Sequence, residues 1–166
     1  MAPRLELDVS YAARRPWVPS ARQLSEWAAA ALAPLRGAPH RGRGGARRIG
    51  ARRIALSVRV VGQARSQGLN ARYRRKQGPT NVLSFGGAGD APDGRRYLGE
   101  LVICAPVVAR EARASGKSLA AHWAHMTIHG VLHLLGFDHE VAREAAKMAA
   151  IEIQILDRLG FSDPYC

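Results

Sequence analysis

His129 and His133 stand four residues apart in the stretch HMTIHGVLHLLGFDHE, which runs from His125 to Glu140. On a helix that spacing stacks two imidazoles on one face, close enough to share an ion. Gly136 follows where a helix commonly ends, since glycine can adopt the left-handed cap conformation. The chain can then turn back and deliver His139 as a third ligand. Three neutral imidazoles leave a fourth position for water, the usual arrangement of catalytic rather than structural zinc. Zinc at such a site lowers the pKa of that water and makes hydroxide available near neutrality. One Zn2+ per chain is therefore the expected cofactor, with iron, nickel and manganese compatible with the same ligand types. His125 lies one turn before His129 and is expected to bind substrate or support a ligand. His122 reads as a partly exposed helix residue, and His40 has no geometric claim on the metal.

The same histidine spacing serves zinc peptidases of the metzincin type, which place a glutamate directly after the first histidine as general base. This chain has Gly130 there, so a peptidase would lack its expected base. Asp138 could instead orient a histidine by accepting its second ring proton. Gly86, Gly87 and Gly89 do not form a phosphate-binding P-loop, because the required GKS or GKT ending is absent.

The elements that must position these groups follow from periodicity. Leu5, Leu7 and Val9 alternate as a first strand over residues 5–10, and Ser20 is placed to cap a helix over 21–33. Residues 37–53 are rich in glycine and arginine and read as a loop before a second strand starting near Ile54. QARSQGLNARYRRKQ reads as a short helix despite Gly68, NVLSF as a third strand, GGAGDAPDG as a flexible connection and YLGELVIC as a fourth strand. Helices are expected over 106–114, 118–135 and 142–159, the last with Ala145, Met148, Ile151, Ile155 and Leu159 as its inward stripe. That order predicts an α+β fold, a small mixed sheet packed against helices, in one domain spanning residues 1–166.

A formal net charge of +12, from 25 Lys and Arg against 13 Asp and Glu, favours anionic partners, nucleic acid first among them. Arg41, Arg43, Arg47, Arg48, Arg52 and Arg53 could follow an RNA backbone or form a solvated charge run. Cys104 and Cys166 are too few for a disulfide scaffold. No long apolar segment or secretory signal is evident, so a cytoplasmic location without a membrane partner is expected.

Three stretches, LNARYRRKQGPTNVLSF at 69–85, YLGELVIC at 97–104 and HGVLHLLGFDH at 129–139, together resemble the YbeY family of bacterial ribosomal-RNA maturation endoribonucleases. The resemblance implies a zinc-dependent endoribonuclease that cleaves single-stranded RNA. Its implied roles are maturation of the 16S ribosomal RNA 3′ end and late-stage 70S ribosome quality control. Implied partners are single-stranded ribosomal RNA, the 16S precursor, and the ribosome or its proteins. By motif correspondence His129, His133 and His139 are the metal ligands, and Arg74 is the catalytic arginine that holds a phosphate or stabilises its developing charge. Arg72, Arg75, Lys76, Ser84 and His125 are further candidates for substrate contact. Where the family commonly has aspartate, proline and aspartate, this chain has Asn81, Gly86 and Glu100, which bears on fine geometry rather than reaction class. Attack by a metal-activated water and attack by the RNA 2′-hydroxyl both fit. The alternative functions are a metal-binding RNA or ribosome interaction protein without independent catalysis and, less favoured, a metzincin-like peptidase.

Overall fold

Leu5, Leu7 and Val9 pack on the core from the first strand, β1 (Arg4–Tyr11), as their alternation requires. The computed structural model describes residues 3–33, 53–137 and 140–166. Ser20 starts helix α1 (Ala21–Leu32) with a capping box: its Oγ accepts from the Gln23 amide at 3.2 Å, and Gln23 Oε1 accepts from the Ser20 amide at 3.0 Å. Strand β2 (Arg53–Val61) then places Ile54, Leu56, Val58 and Val60 in the same core as Leu24, Trp27 and Ala28 of α1. The loop expected before β2 lies outside the described residues as far as Arg52.

Helix α2 (Gln63–Arg74) accommodates Gly68 on an open side, where an added Cβ would meet nothing within 4 Å. Strands β3 (Val82–Asp90) and β4 (Arg95–Cys104) follow, then helices α3 (Ala105–Ser115), α4 (Leu119–Leu134) and α5 (Ala142–Arg158). The sheet order is β1-β2-β4-β3, with β1, β2 and β4 parallel and β3 antiparallel on the edge. This is the expected α+β arrangement of a small mixed sheet against helices. Its larger core lies beneath α1, α4 and α5, and a smaller cluster of Val61, Leu83, Val102, Cys104 and Val107 fills the opposite side.

One expectation is corrected. GGAGDAPDG is not a flexible connection: β3 continues through Gly86 and Gly89 to Asp90 and pairs with Gly99, Tyr97 and Arg96. Two glycines of this strand pair, Gly87 and Gly99, serve close approach of the backbones. A Cβ on Gly87 would stand 2.3 Å from the Tyr97 carbonyl oxygen, and one on Gly99 would stand 2.2 Å from that of Phe85. Only the turn between Asp90 and Arg95 connects the strands.

Candidate metal and substrate site

Helix α4 is apolar on nearly every side and correspondingly buried, with Trp123, Ala124, Met126, Ile128, Val131 and Leu132 in contact with the core. Ser118 starts it, its Oγ accepting from the Ala121 amide at 3.1 Å. The helix lies hard against the sheet at Gly130, where a Cβ would stand 2.8 Å from Leu101 Cδ2 and 3.3 Å from Val82 Cγ2. Leu101 is fully buried. A peptidase glutamate at this position would therefore collide with the sheet.

The C-terminal end of α4 is a Schellman turn. Gly136, at φ +96°, donates to the His133 carbonyl at 3.0 Å, and Phe137 donates to the Leu132 carbonyl at 3.1 Å. The chain thus reverses immediately after His133. Asp138 and His139, the expected orienting carboxylate and third ligand, lie outside the described residues.

His129 and His133 meet as their spacing predicts, with ring centroids 4.6 Å apart and Nε2 atoms 3.1 Å apart. The other nitrogen of His129 faces α5. There Glu152, with no solvent exposure, accepts from His129 Nδ1 through Oε1 at 2.5 Å. Its Oε2 accepts from His125 Nε2 at 3.0 Å and from the Tyr165 hydroxyl. Burial alone would raise the Glu152 carboxyl, but the donors from His125, His129 and Tyr165 outweigh it and hold the group down to about 2. The Tyr165 hydroxyl is pushed up in turn, by burial and by the carboxylate it serves.

Glu152 is the functional residue that sequence reasoning missed. A signal was present: it follows Met148 by four residues and precedes Ile155 by three, so it sits on the inward stripe of α5 beside two buried apolar residues. A carboxylate on such a stripe needs a partner. His125, His129 and Glu152 each bring a ligand-type atom within 4.8 Å of the others, so α4 and α5 together carry donors able to coordinate a metal.

The remaining expected site residues lie on β3 and at the end of α2. Val82 and Ser84 face α4, and Ser84 Oγ donates to the Gly130 carbonyl at 3.3 Å, which joins it to the histidine turn. Leu83 and Phe85 face the other way, where the Phe85 ring meets that of Tyr73 at 5.1 Å in an edge-on contact. Arg72 and Arg74 lie in the last turn of α2, favourably placed for the helix dipole, and Arg75 closes the helix in a left-handed conformation at φ +53°. Among the described residues Arg74 has no ion-pair partner. The structure brings His125, His129 and His133 together, ties Ser84 to the same helix, and gathers Arg72, Arg74, Arg75 and Lys76 at the C-terminal end of α2, whose Tyr73 packs on Phe85 of the edge strand.

The intervening motif residues position this basic turn. Buried Asn70 donates through Nδ2 to the Gly78 carbonyl at 2.9 Å, while Ser66 Oγ donates to the Thr80 carbonyl at 2.9 Å and accepts from the Thr80 amide at 3.0 Å. Asn81 donates to both oxygens of Glu111 at 3.2 Å, and Glu111 also accepts from His122 Nε2 at 2.7 Å. An aspartate at 81 would set a like charge against Glu111, so the amide suits its partner.

The family model for Endoribonuclease YbeY matches residues 46–160. Endoribonuclease YbeY of Stenotrophomonas maltophilia (strain R551-3) is 47% identical over 98% of this chain and 94% of its own length. That of Alkalilimnicola ehrlichii is 48% identical over 99% of this chain and 93% of its own. The solution structure of TM1509 from Thermotoga maritima superposes with a TM-score of 0.52 at 20% identity, covering 96% of this chain and 98% of that one, a likeness of fold. With the histidine turn, the basic end of α2 and near-complete alignment all agreeing, this chain belongs to the YbeY endoribonuclease family.

Proposed function

We propose that the whole chain, residues 1–166, acts as a zinc-dependent endoribonuclease on single-stranded ribosomal RNA, maturing the 3′ end of the 16S precursor and acting in late-stage 70S ribosome quality control. Its metal ligands are His129, His133 and His139, one ion per chain, and Arg74 is the arginine that engages the reacting phosphate. The observation that carries this reading is the 3.1 Å approach of His129 Nε2 to His133 Nε2 while His129 Nδ1 is already committed to Glu152. Two imidazoles on one zinc at about 2.0–2.1 Å hold their nitrogens roughly 3.3 Å apart, so the pair fits the ion. Glu152 Oε1 and His129 Nδ1, at 2.5 Å, are closer than two ligands of one ion stand, and behave as a charge-assisted hydrogen bond. Zinc, when bound, supplies Lewis-acid charge and an activated water.

The chain's own residues perform the rest. The turn at Gly136 reverses the chain directly after His133, three residues before His139 in the sequence. Ser84 ties the edge strand to the histidine turn. Arg74, with its planar fork, binds nonbridging phosphate oxygens in a bidentate mode and opposes the charge that develops there. Arg72, Arg75 and Lys76 hold flanking phosphates.

The test is cleavage of a single-stranded 16S precursor 3′-end RNA by zinc-loaded and metal-free protein, with His133→Ala and Arg74→Ala alongside. Metal-dependent cutting should vanish in H133A and fall by about 100-fold in R74A. No cutting by folded, zinc-loaded wild type, on free RNA or on assembled ribosomes, would leave the metal-binding interaction protein as the better reading.

A further inference from the structure

The Glu152 carboxylate does work that neither the histidine motif nor the basic turn accounts for. It comes from α5, lies 23 residues beyond His129, and is completely shielded from solvent. Three donors converge on it: His129 Nδ1 on one oxygen, His125 Nε2 and the Tyr165 hydroxyl on the other. Since the carboxylate can only accept, each of the two ring nitrogens facing it must carry its proton. For His129 this decides the tautomer. With Nδ1 protonated, the lone pair of a neutral ring is left on Nε2, the atom that faces His133.

We propose that Glu152 is the positioning residue of the metal centre, holding His129 as its Nδ1–H tautomer with Nε2 presented to the ion, and that His125 and Tyr165 fix the carboxylate in turn. This deepens, and rests on, the assignment of His129 and His133 as ligands. The geometry separates the two oxygens by task. Oε1 addresses the ligand, while Oε2 is anchored by one residue of α4 and one from the segment following α5. The Tyr165 ring also stands edge-on to His125, with centroids 5.5 Å apart, so the anchor is packed as well as bonded. His125 is only 9% exposed, and its Nε2 is taken up by Glu152, which makes it a support for the carboxylate rather than a contact for RNA.

The test compares wild type, Glu152→Gln, Tyr165→Phe and His133→Ala, all as the full chain, for zinc affinity by competition with a chromophoric chelator. E152Q keeps the side-chain volume but weakens and reorients the acceptor, and should lower zinc affinity by between about 10-fold and 100-fold. Y165F, which releases one anchor only, should lose less than E152Q. In parallel, long-range nitrogen–proton correlation spectra of metal-free wild type should show His129 protonated at Nδ1, and the E152Q spectrum should show that preference weakened. An E152Q protein with wild-type affinity overturns the proposal. So does a wild-type His129 protonated at Nε2, a result that requires no variant to fold. Wild-type zinc affinity in H133A would strike instead at the ligand assignment beneath it.

Discussion

Glu111 shows how a half-buried carboxylate in this molecule is kept charged. Burial alone would raise its carboxyl, but the hydrogen bonds from His122 and Asn81 outweigh that and hold it below its ordinary value of 4.5. The folded value thus lies beneath the unfolded one, and the unfolded chain takes up the proton first as pH falls. The resulting stabilisation is fully present above the unfolded value and is lost as pH drops toward the folded one. Glu111→Gln should therefore melt below wild type near neutrality, and the gap in Tm should close as the pH is brought from about 5 to about 3. A gap that stays constant across that range would remove the carboxylate's charge from the explanation. Gly130 makes a different point at this scale: its missing Cβ is what lets the histidine helix touch Leu101 and Val82. The position that would carry a base in a metzincin is here a packing surface.

Among the elements, α4 is delimited by local chemistry at both ends. Ser118 satisfies an orphan amide at the start, and the Gly136 turn satisfies the carbonyls of Leu132 and His133 at the finish. Helix α5 ends in the same way, with Gly160 at φ +85° donating to Asp157 and Phe161 donating to Leu156. The two turns allow a controlled comparison. Gly136→Ala forces an L-residue into the left-handed region at a cost of about 1–2 kcal/mol, and Gly160→Ala should cost about the same. In a chain of this size each should lower Tm by roughly 2–8 °C. Only G136A should also weaken zinc binding, since His133 lies in the turn it distorts and His139 follows three residues later. Equal loss of zinc affinity in both variants would mean that stability, not the turn's direction, governs the site. The strand pair β3–β4 carries the complementary lesson. Its glycines look like a loop when read locally, yet Gly86 and Gly89 are paired in the ladder, and at Gly87 and Gly99 the two backbones come too close for a side chain.

At the scale of the molecule, the +12 charge sets a long-range field attractive to RNA, and the arginines of residues 41–53 contribute much of it. Affinity for single-stranded RNA should fall steeply with salt, and each arginine that contacts a phosphate should account for about 0.7 in the slope of log affinity against log salt. Replacing Arg41, Arg43, Arg47 and Arg48 by glutamine should flatten that slope, as measured by fluorescence anisotropy over a range of salt. An unchanged slope would mark those arginines as solvated charge away from the RNA path. The described helices include none long and apolar enough to cross a membrane.

What the sequence by itself determined was local and periodic. Four-residue spacing stacked His129 on His133, Ser20 started a helix, Gly136 ended one, and alternation picked out the inward side of β1. Such features depend on backbone geometry within a turn or two, so residue order suffices to reveal them. The tertiary structure alone decided which distant groups complete each local arrangement. Periodicity picked out Met148 and Ile155 on the inward side of α5 but not Glu152 between them, nor that His125, His129 and Tyr165 would meet it there. It likewise could not show that β3 runs on to Asp90 against β4, or that Ser84 meets α4 while Phe85 on the opposite face meets Tyr73 of α2. The physical reason is that a side chain's face follows from its own helix or strand, whereas the partner that lets a buried charge persist comes from another element, and only packing brings the two together.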